Sequence, residues 1–194
     1  RQALTEHQAT SGPTLRRLFQ AALTTSKAVA STTALGASGR SLATVGLDLI
    51  ADRFGDLAGR NVLLHGTGAY AGVVVAELTR RDVAEIRVHS STGRADAFAE
   101  SHPHVVPIAP QQLSDALAWA DLVVACSGTG ARSLTADLLA EARRGRLEPL
   151  PILDLALTGD IAGEAAELAQ IVLIDLDEVA RNAPPEQTAA VEAA

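Results

Sequence analysis

Asn61-Val-Leu-Leu-His-Gly-Thr-Gly-Ala-Tyr-Ala-Gly72 is the stretch of sequence that decides the fold. Val62 to His65 has the pattern of a short buried strand, and Val73 to Arg80, directly after the stretch, has that of a helix. Three glycines lie between them, in the strand–turn–helix setting that a dinucleotide-binding fingerprint requires. The spelling is GxGxxA or GxGxxxG rather than GxGxxG. Because glycines also mark ordinary turns between a strand and a helix, the alternative is a turn that holds no ligand.

The small residues of this turn have distinct roles in a nucleotide site. Gly66 allows the tight turn, Gly68 lets the backbone approach a pyrophosphate, and Ala71 or Gly72 keeps the helix close to the strand. The pyrophosphate would lie at the free N–H groups of the helix N-terminus, where the helix dipole favours an anion. The residues of this turn that we predict to contact the cofactor are Gly66, Thr67, Gly68, Ala69, Tyr70 and Ala71.

The rest of the chain alternates short apolar runs with helical patterns. Residues are 47% hydrophobic and only 3% aromatic, so the core must be aliphatic, which suits buried parallel strands. The alternation predicts an α/β fold, a Rossmann-like doubly wound parallel sheet, preceded by helices within residues 3–30. The predicted strands are 62–65, 85–89, 105–108, 121–125, 152–155 and 171–174; the predicted helices after the capping residue Ser41 are 42–54, 73–80, 94–100, 111–119, 133–144 and one from Asp177.

The turn after the second strand indicates which dinucleotide binds. In a site for NAD, an Asp or Glu about 20 residues past the glycine turn binds the ribose 2′-hydroxyl. No carboxylate stands there in this chain, whose sequence is His89-Ser-Ser-Thr-Gly-Arg94. Hydroxyls can donate to phosphate oxygens, and an arginine binds them through a charge-assisted fork. The turn therefore favours NADP(H), and the alternative is a polar turn with Arg94 in solvent. The predicted contacts of the 2′-phosphate are Ser90, Ser91, Thr92 and Arg94.

The ends of the later strands are where the remainder of a ligand would lie, beside the switch point of such a sheet. The predicted cofactor contacts there are Ser127, Gly128 and Thr129 after the fourth strand and Leu155 and Ala156 after the fifth. Cys126 follows an apolar strand with no evident histidine neighbour, so we interpret it as a packing thiol rather than a nucleophile. The five histidines show no metal-ligand spacing.

Charge and composition exclude several classes of function. The net charge of −7 argues against a general nucleic-acid binder, although residues 1–40 carry five basic side chains against one acidic side chain. The single cysteine excludes an intrachain disulfide framework and a cysteine-based zinc site. No apolar run reaches the roughly 18 residues of a membrane span, and no secretory signal is visible, so we expect a cytoplasmic protein. The chain begins with Arg rather than Met, so we expect a fragment or a processed chain.

Short motifs also follow one another in a definite order. They are Leu15–Leu23 with Lys27, Gly39–Leu49, Leu57–Gly59, the glycine turn, Ala120–Val124, Ser127-Gly128, Asp154–Ala156, Asp160-Ile161 and Ile174–Asp177. In this order, over nearly the whole chain, they resemble glutamyl-tRNA reductase. The chain departs from the pattern of that family at two places. Ser90-Ser91-Thr92 replaces its usual Asn-Arg-Ser/Thr, and Thr158-Gly159 replaces its usual Pro-Arg.

The resemblance implies a modular enzyme of tetrapyrrole biosynthesis. Its catalytic domain takes glutamate from glutamyl-tRNA as a thioester on a cysteine, NADPH delivers hydride, and glutamate-1-semialdehyde passes to an aminomutase. A C-terminal helical domain makes the enzyme a homodimer. The resemblance divides this chain into 1–38, the helical end of the catalytic domain and a linker; 39–180, the NADP(H)-binding domain; and 181–194, the start of the connection to the dimerisation helix. No catalytic residue is expected in the chain, which would be inactive alone.

Two other interpretations of the sequence stay open. A shikimate/quinate-type dehydrogenase has a similar cofactor domain, but it needs a substrate domain with a Lys/Asp pair, and the chain has one lysine, Lys27. A nucleotide-binding or sensor module without catalysis is the third possibility, because no catalytic constellation is visible.

Overall fold

The computed structural model describes residues 41–68, 70–129 and 131–182. They belong to one of the two units into which the chain divides, Ser41–Asn182. The helices predicted within 3–30 and the tail after residue 182 lie outside the described residues.

Six parallel strands form a single sheet in the order β3-β2-β1-β4-β5-β6. The chain starts in the middle of the sheet, moves to one edge through β2 and β3, and returns to continue on the other side of β1 with β4. This is the strand order of a doubly wound dinucleotide-binding fold, which confirms the predicted fold class. The strands are β1 Asn61–His65, β2 Glu85–His89, β3 Val105–Pro107, β4 Leu122–Ala125, β5 Leu150–Asp154 and β6 Ile171–Ile174.

Helices cover both faces of the sheet and connect the strands. The first begins at a capping box, in which the Ser41 hydroxyl accepts from the Thr44 N–H at 3.1 Å, and it ends before Gly55. The helices are α1 Leu42–Phe54, α2 Ala71–Arg80, α3 Ala95–Glu100, α4 Leu113–Trp119, α5 Ala136–Ala142 and α6 Leu176–Asn182, with 3₁₀ turns at Pro110–Gln112 and Gly163–Glu167.

The central strands have no exposed face, which is why they appear in the sequence as continuous apolar runs. All residues of β4 and β5 are buried. On one face Leu63, Val123 and Ile152 pack beneath α4 and α5. On the other face α1 lies so close to β5 that a Cβ on Gly46 would fall 2.6 Å from the Leu153 side chain. A larger residue at this position would require the Leu153 side chain to move.

Several predicted boundaries were wrong, the largest error being the helix predicted over 133–144. Ser133 lies outside any helix, and Leu134 forms a parallel bridge with Ile161. Helix α5 begins only after Thr135, whose hydroxyl accepts from the Leu138 N–H at 3.3 Å. Strand β5 begins two residues earlier than predicted, since Pro151 lies within it. Helix α2 likewise begins two residues earlier, at Ala71.

Candidate functional site: the glycine turn and the loops around it

The candidate site lies at the carboxyl ends of β1, β2, β4 and β5. Because the strands are parallel, the loops that leave them meet at one edge of the sheet. The strand order reverses between β1 and β4, and doubly wound folds bind ligands in the crevice at such a switch point.

Gly66 is required by the protein itself, not only by a ligand. Its φ of +123° lies in a region that L side chains rarely adopt. A Cβ at this position would lie 2.6 Å from the Ser127 backbone nitrogen and 2.7 Å from the Cys126 carbonyl carbon. The turn after β1 is therefore in backbone contact with the loop after β4, and no side chain fits between them.

Gly68 differs, because the fold does not require a glycine there. The nearest atoms to a Cβ on this residue would be the carbonyl oxygens of Cys126 and Ser127, at 3.6 and 3.8 Å, which are ordinary contacts. No positive φ is recorded at this position. Close approach of a pyrophosphate to the backbone, the role predicted for Gly68, stays a prediction.

The first turn of α2 resolves which small residue brings the helix close to the strand. Ala71 has no exposed surface, whereas a Cβ on Gly72 would face the His102 ring, with Nε2 at 3.2 Å. Ala71 is therefore the residue in close packing. The hydroxyl of Tyr70, predicted to contact the cofactor, accepts a hydrogen bond from the Ala43 N–H of α1 at 3.0 Å. Ala69 lies outside the described residues.

The hydroxyls predicted to bind the 2′-phosphate form a hydrogen-bonded chain. It starts at Thr67 in the glycine turn, whose Oγ1 lies 3.3 Å from the Ser90 Oγ. Ser90 in turn lies 3.1 Å from the Thr92 Oγ1, which accepts from the Arg94 Nε at 2.9 Å. Ser90 is buried, so Ser91, Thr92 and Arg94 are the exposed members of the predicted set. Among the described residues, no carboxylate forms an ion pair with Arg94.

The loop after β4 is held by a buried carboxylate from the loop after β5. Asp160 has no exposed surface and accepts from the Ser127 N–H at 2.6 Å and from the Ser127 hydroxyl. The hydroxyls of Ser127 and Thr129 are 3.0 Å apart, and Gly128 has a φ of +64°. The predicted trio Ser127, Gly128 and Thr129 is thus an ordered turn beside the glycine turn.

A second acid, Asp154 at the end of β5, fixes the following loop. Its carboxylate accepts from three backbone N–H groups, those of Ala156, Asp160 and Ile161, at 2.7 to 3.1 Å. Burial raises the pKa of Asp154 above its ordinary value; those hydrogen bonds oppose the shift and the nearby Asp160 adds to it. Leu155 and Ala156, predicted to border the nicotinamide, are buried. Leu157, which follows them, is 93% exposed.

Cys126 lies in the crevice but is not a reactive thiol. It is buried, and its N–H donates to the His65 carbonyl at 2.8 Å. Burial, reinforced by Asp160 and Asp154, raises the pKa of the thiol to about 12. Since the thiolate is the nucleophile, this environment opposes covalent catalysis, as expected for a packing residue.

The feature that the sequence did not reveal is a histidine pair beneath the glycine turn. His65 and His89 end neighbouring strands in register, and their Nδ1 atoms are 3.0 Å apart. Predicting this pair requires the register in which β1 and β2 pair, which the sequence does not give. Each histidine directly precedes a predicted cofactor loop, and this position was the available signal in the sequence.

Among the described residues, no cluster of three His, Cys, Asp or Glu side chains could hold a metal ion. Across the same residues, no helix is long and apolar enough to cross a membrane.

The sequence matches the shikimate/quinate 5-dehydrogenase family over residues 48–181. The chain belongs to that family. The match covers all six strands and the glycine turn, so the family assignment and the site geometry concern the same part of the molecule.

Within that family, the chain is similar to curated glutamyl-tRNA reductases. That of Cutibacterium acnes is 45% identical over 184 residues, which are 93% of this chain and 39% of the relative. The chain thus spans about two fifths of the relative's length. The resemblance that the ordered motifs predict is confirmed.

Two solved structures show the same fold. Glutamyl-tRNA reductase from Methanopyrus kandleri superposes with a TM-score of 0.69 at 22% identity, covering 94% of this chain and 46% of that one. The nucleotide-binding domain of glutamyl-tRNA reductase from Thermoplasma volcanium gives a TM-score of 0.51 at 17% identity, covering 79% of this chain and 93% of that domain. At these identities the likeness concerns the fold.

Proposed function

We propose that this chain is the NADP(H)-binding domain of a glutamyl-tRNA reductase. The observation that carries the proposal is the contrast between two glycines of the same turn. Contact with the loop after β4 requires Gly66, whereas a Cβ on Gly68 would make only ordinary contacts. The fold does not need a glycine at position 68, and close approach of a pyrophosphate would explain one there. A plain turn would not need the second glycine. The 45% identity to a curated reductase over nearly the whole chain supports the choice of enzyme.

NADP(H) is the cofactor that the turn after β2 favours. Thr92 and Arg94 are exposed, lie next to each other and are joined by a hydrogen bond at 2.9 Å. A 2′-phosphate accepts hydrogen bonds from both hydroxyl and guanidinium groups, whereas an NAD ribose prefers a carboxylate partner. The described part of this turn presents no carboxylate.

The residues of the chain would bind and orient the cofactor. Backbone groups of residues 66–68 hold the pyrophosphate, the turn Ser90–Arg94 holds the 2′-phosphate, and the loop anchored by Asp160 borders the nicotinamide side. When bound, NADPH supplies hydride to the acyl group of the substrate. Buried hydrogen bonds from Ser127 to Asp160 and from Asp160 to Asp154 hold these loops in place. Cofactor binding therefore costs little conformational entropy.

The reaction of the whole enzyme would be reduction of glutamyl-tRNA to glutamate-1-semialdehyde for tetrapyrrole synthesis. Acyl transfer from the tRNA would use a cysteine elsewhere in the whole enzyme, since Cys126 is the single cysteine of these 194 residues and its pKa is about 12. The whole enzyme would be a cytoplasmic homodimer that passes its aldehyde product to an aminomutase. Residues 1–38 and 181–194 would connect the cofactor domain to the catalytic and dimerisation domains.

A shikimate/quinate dehydrogenase is the second candidate, favoured by the family to which residues 48–181 belong. One lysine in 194 residues argues against the Lys/Asp substrate pair that such an enzyme needs. Oxidation of shikimate or quinate with NADP⁺ by the protein would favour this candidate over the reductase.

The experiment that tests the proposal has two parts. Calorimetric titration of the chain with NADPH and NADH should give tighter binding of NADPH. Supplying the chain to a reductase that lacks its own cofactor domain, with glutamyl-tRNA and NADPH, should restore release of glutamate-1-semialdehyde. No binding of either dinucleotide by the folded chain would refute the proposed function.

A further inference from the structure

The His65–His89 pair beneath the glycine turn shares a hydrogen bond between like atoms. The Nδ1 atoms are 3.0 Å apart and the ring centroids 5.0 Å apart, with the ring planes inclined by only 12°. The rings therefore meet through their nitrogen edges rather than face to face. Because a bare imidazole nitrogen accepts and a protonated one donates, one Nδ1 must carry a proton and the other must not.

The pair is embedded in the parts of the site that would hold phosphates. The Gly66 N–H donates to the His89 carbonyl at 2.9 Å, and His65 and His89 directly precede the two cofactor turns. The His65 Nε2 lies 2.7 Å from the Ser133 Oγ, in the loop after β4. Both rings are buried. Asp160, from the loop after β5, is the charged group among the described residues whose field reaches His65.

The hydrogen bond between the two rings is compatible with one proton more than the neutral pair carries. The shared hydrogen bond uses one N–H, so a proton added at an outer ring nitrogen leaves the bond intact. A further proton would place two N–H groups head to head and break it. In the free protein, burial lowers the pKa of both rings, and for His65 the neighbour His89 lowers it further against the opposing field of Asp160. A dinucleotide would bring phosphate charges to the turns above the pair, and an adjacent anion favours the protonated form.

We propose that binding of a dinucleotide at the glycine turn is coupled to uptake of a proton by the His65–His89 pair. This inference rests on the proposed function, because it needs an anionic ligand at the turn. Affinity for the dinucleotide then increases as the pH falls toward 6, through a charge that the protein acquires only in the complex.

Isothermal titration calorimetry of the 194-residue chain tests the coupling. NADH and NADPH are each titrated in two buffers with different heats of ionisation, at about pH 6 and about pH 8, because the difference in heat between buffers counts the protons exchanged. NADH is included because a 2′-phosphate titrates by itself near pH 6. We expect NADH binding to take up more protons at about pH 6 than at about pH 8.

The double variant His65→Asn/His89→Asn tests whether the proton is taken up by this pair. Asparagine amides can hydrogen-bond to each other from the same positions but do not titrate. Proton uptake should disappear in this variant and persist in His104→Asn, which changes an exposed histidine. If circular dichroism shows that the double variant does not fold, or if it no longer binds, His65→Asn and His89→Asn are measured singly. Proton uptake should then disappear in the single variant that lacks the ring carrying the proton, and full uptake in both would overturn the coupling.

The outcomes separate this inference from the function on which it rests. Absence of binding heat for both dinucleotides would overturn the proposed function and the coupling with it. Binding of NADH by the wild-type chain with the same heat in both buffers would overturn the coupling alone. Equal proton uptake in the wild type and in a folded, binding double variant, or in both single variants, would assign the proton to another group and would also overturn it.

Discussion

At the scale of single residues, two glycines in one turn have opposite reasons for being glycine. Gly66 is fixed by backbone contact and a φ of +123°, whereas Gly68 has neither constraint. We expect Gly68→Val to abolish dinucleotide binding in a chain that remains folded, because the added methyl groups occupy the space of the pyrophosphate. Circular dichroism and a binding titration on the same sample measure both effects.

Matched glycine variants make that result specific. Gly66→Ala should lower the stability of the fold itself, since its Cβ would collide with the Ser127 backbone. Gly163→Ala should affect neither stability nor binding strongly, because its Cβ has no neighbour within 4 Å. Retained affinity in a folded Gly68→Val protein would mean that the turn holds no ligand.

We expect Arg94 to set the preference for NADP(H) over NAD(H). Arg94→Ala removes a charge-assisted hydrogen bond to the 2′-phosphate, a contact typically worth about 1.5–3 kcal/mol, so NADPH affinity should fall about tenfold or more. NADH affinity should change little, because NADH lacks the phosphate. Fluorescence titration with both cofactors measures the ratio, and Arg80→Ala, an exposed arginine at the end of α2, is the control. Equal effects on NADPH and NADH would contradict the assignment.

A further prediction concerns Cys126, which we do not expect to act as a nucleophile. Its pKa of about 12 and its burial predict that it does not form a thioester. The chain incubated with glutamyl-tRNA should show no glutamyl adduct by mass spectrometry, and Cys126→Ser in the whole enzyme should keep most of the activity. A glutamyl group on Cys126 would overturn both this prediction and the proposed division of labour between domains.

At the scale of elements, Tyr70 connects the glycine turn to α1. Its hydroxyl accepts the Ala43 N–H, one of the helix N-terminal donors that have no partner within the helix. Tyr70→Phe should lower the free energy of unfolding by about 1 kcal/mol, the usual value of one such hydrogen bond. NADPH affinity should change little, because the hydroxyl is used in the hydrogen bond to the Ala43 N–H. Urea unfolding and a cofactor titration separate the two roles.

The capping residue of the same helix is a suitable comparison. Ser41→Ala removes the other side-chain cap of α1 and should cost a similar amount, about 1 kcal/mol. A Tyr70→Phe variant with unchanged stability and much weaker NADPH binding would support the cofactor contact predicted for Tyr70 and contradict the structural role.

At the scale of the whole molecule, the sequence predicted what depends on local pattern. The alternation of short strands and helices placed β2 and β6 at their observed bounds. The His65–His89 pair was missed because it depends on which strands are neighbours and in what register. The start of α5 was misplaced because a long-range bridge from Leu134 to Ile161 overrides helical propensity. The contacts of Asp160 with Ser127 join residues 33 positions apart, which no local pattern encodes.

The buried histidines also make the stability of the whole domain depend on pH. In the unfolded chain His65 binds a proton near its ordinary pKa of 6.5, but in the fold it stays neutral until about pH 4. Between these values the unfolded state binds more protons, so stability falls as the pH falls. The shift corresponds to a loss of about 3 kcal/mol across the window for His65 alone, and His89 acts in the same direction.

Asp154 acts in the opposite direction. Its pKa is raised in the fold, so at the acidic end of the window the folded state takes up this proton before the unfolded state does, which reduces the loss. We therefore expect the free energy of unfolding, from urea titrations between about pH 7 and pH 4.5, to decrease below about pH 6.5 and most steeply between about pH 6 and pH 5. His65→Asn should flatten this dependence, whereas His104→Asn, which changes an exposed histidine, should not. A wild-type stability that is constant over this window would show that the pair is not held neutral by the fold.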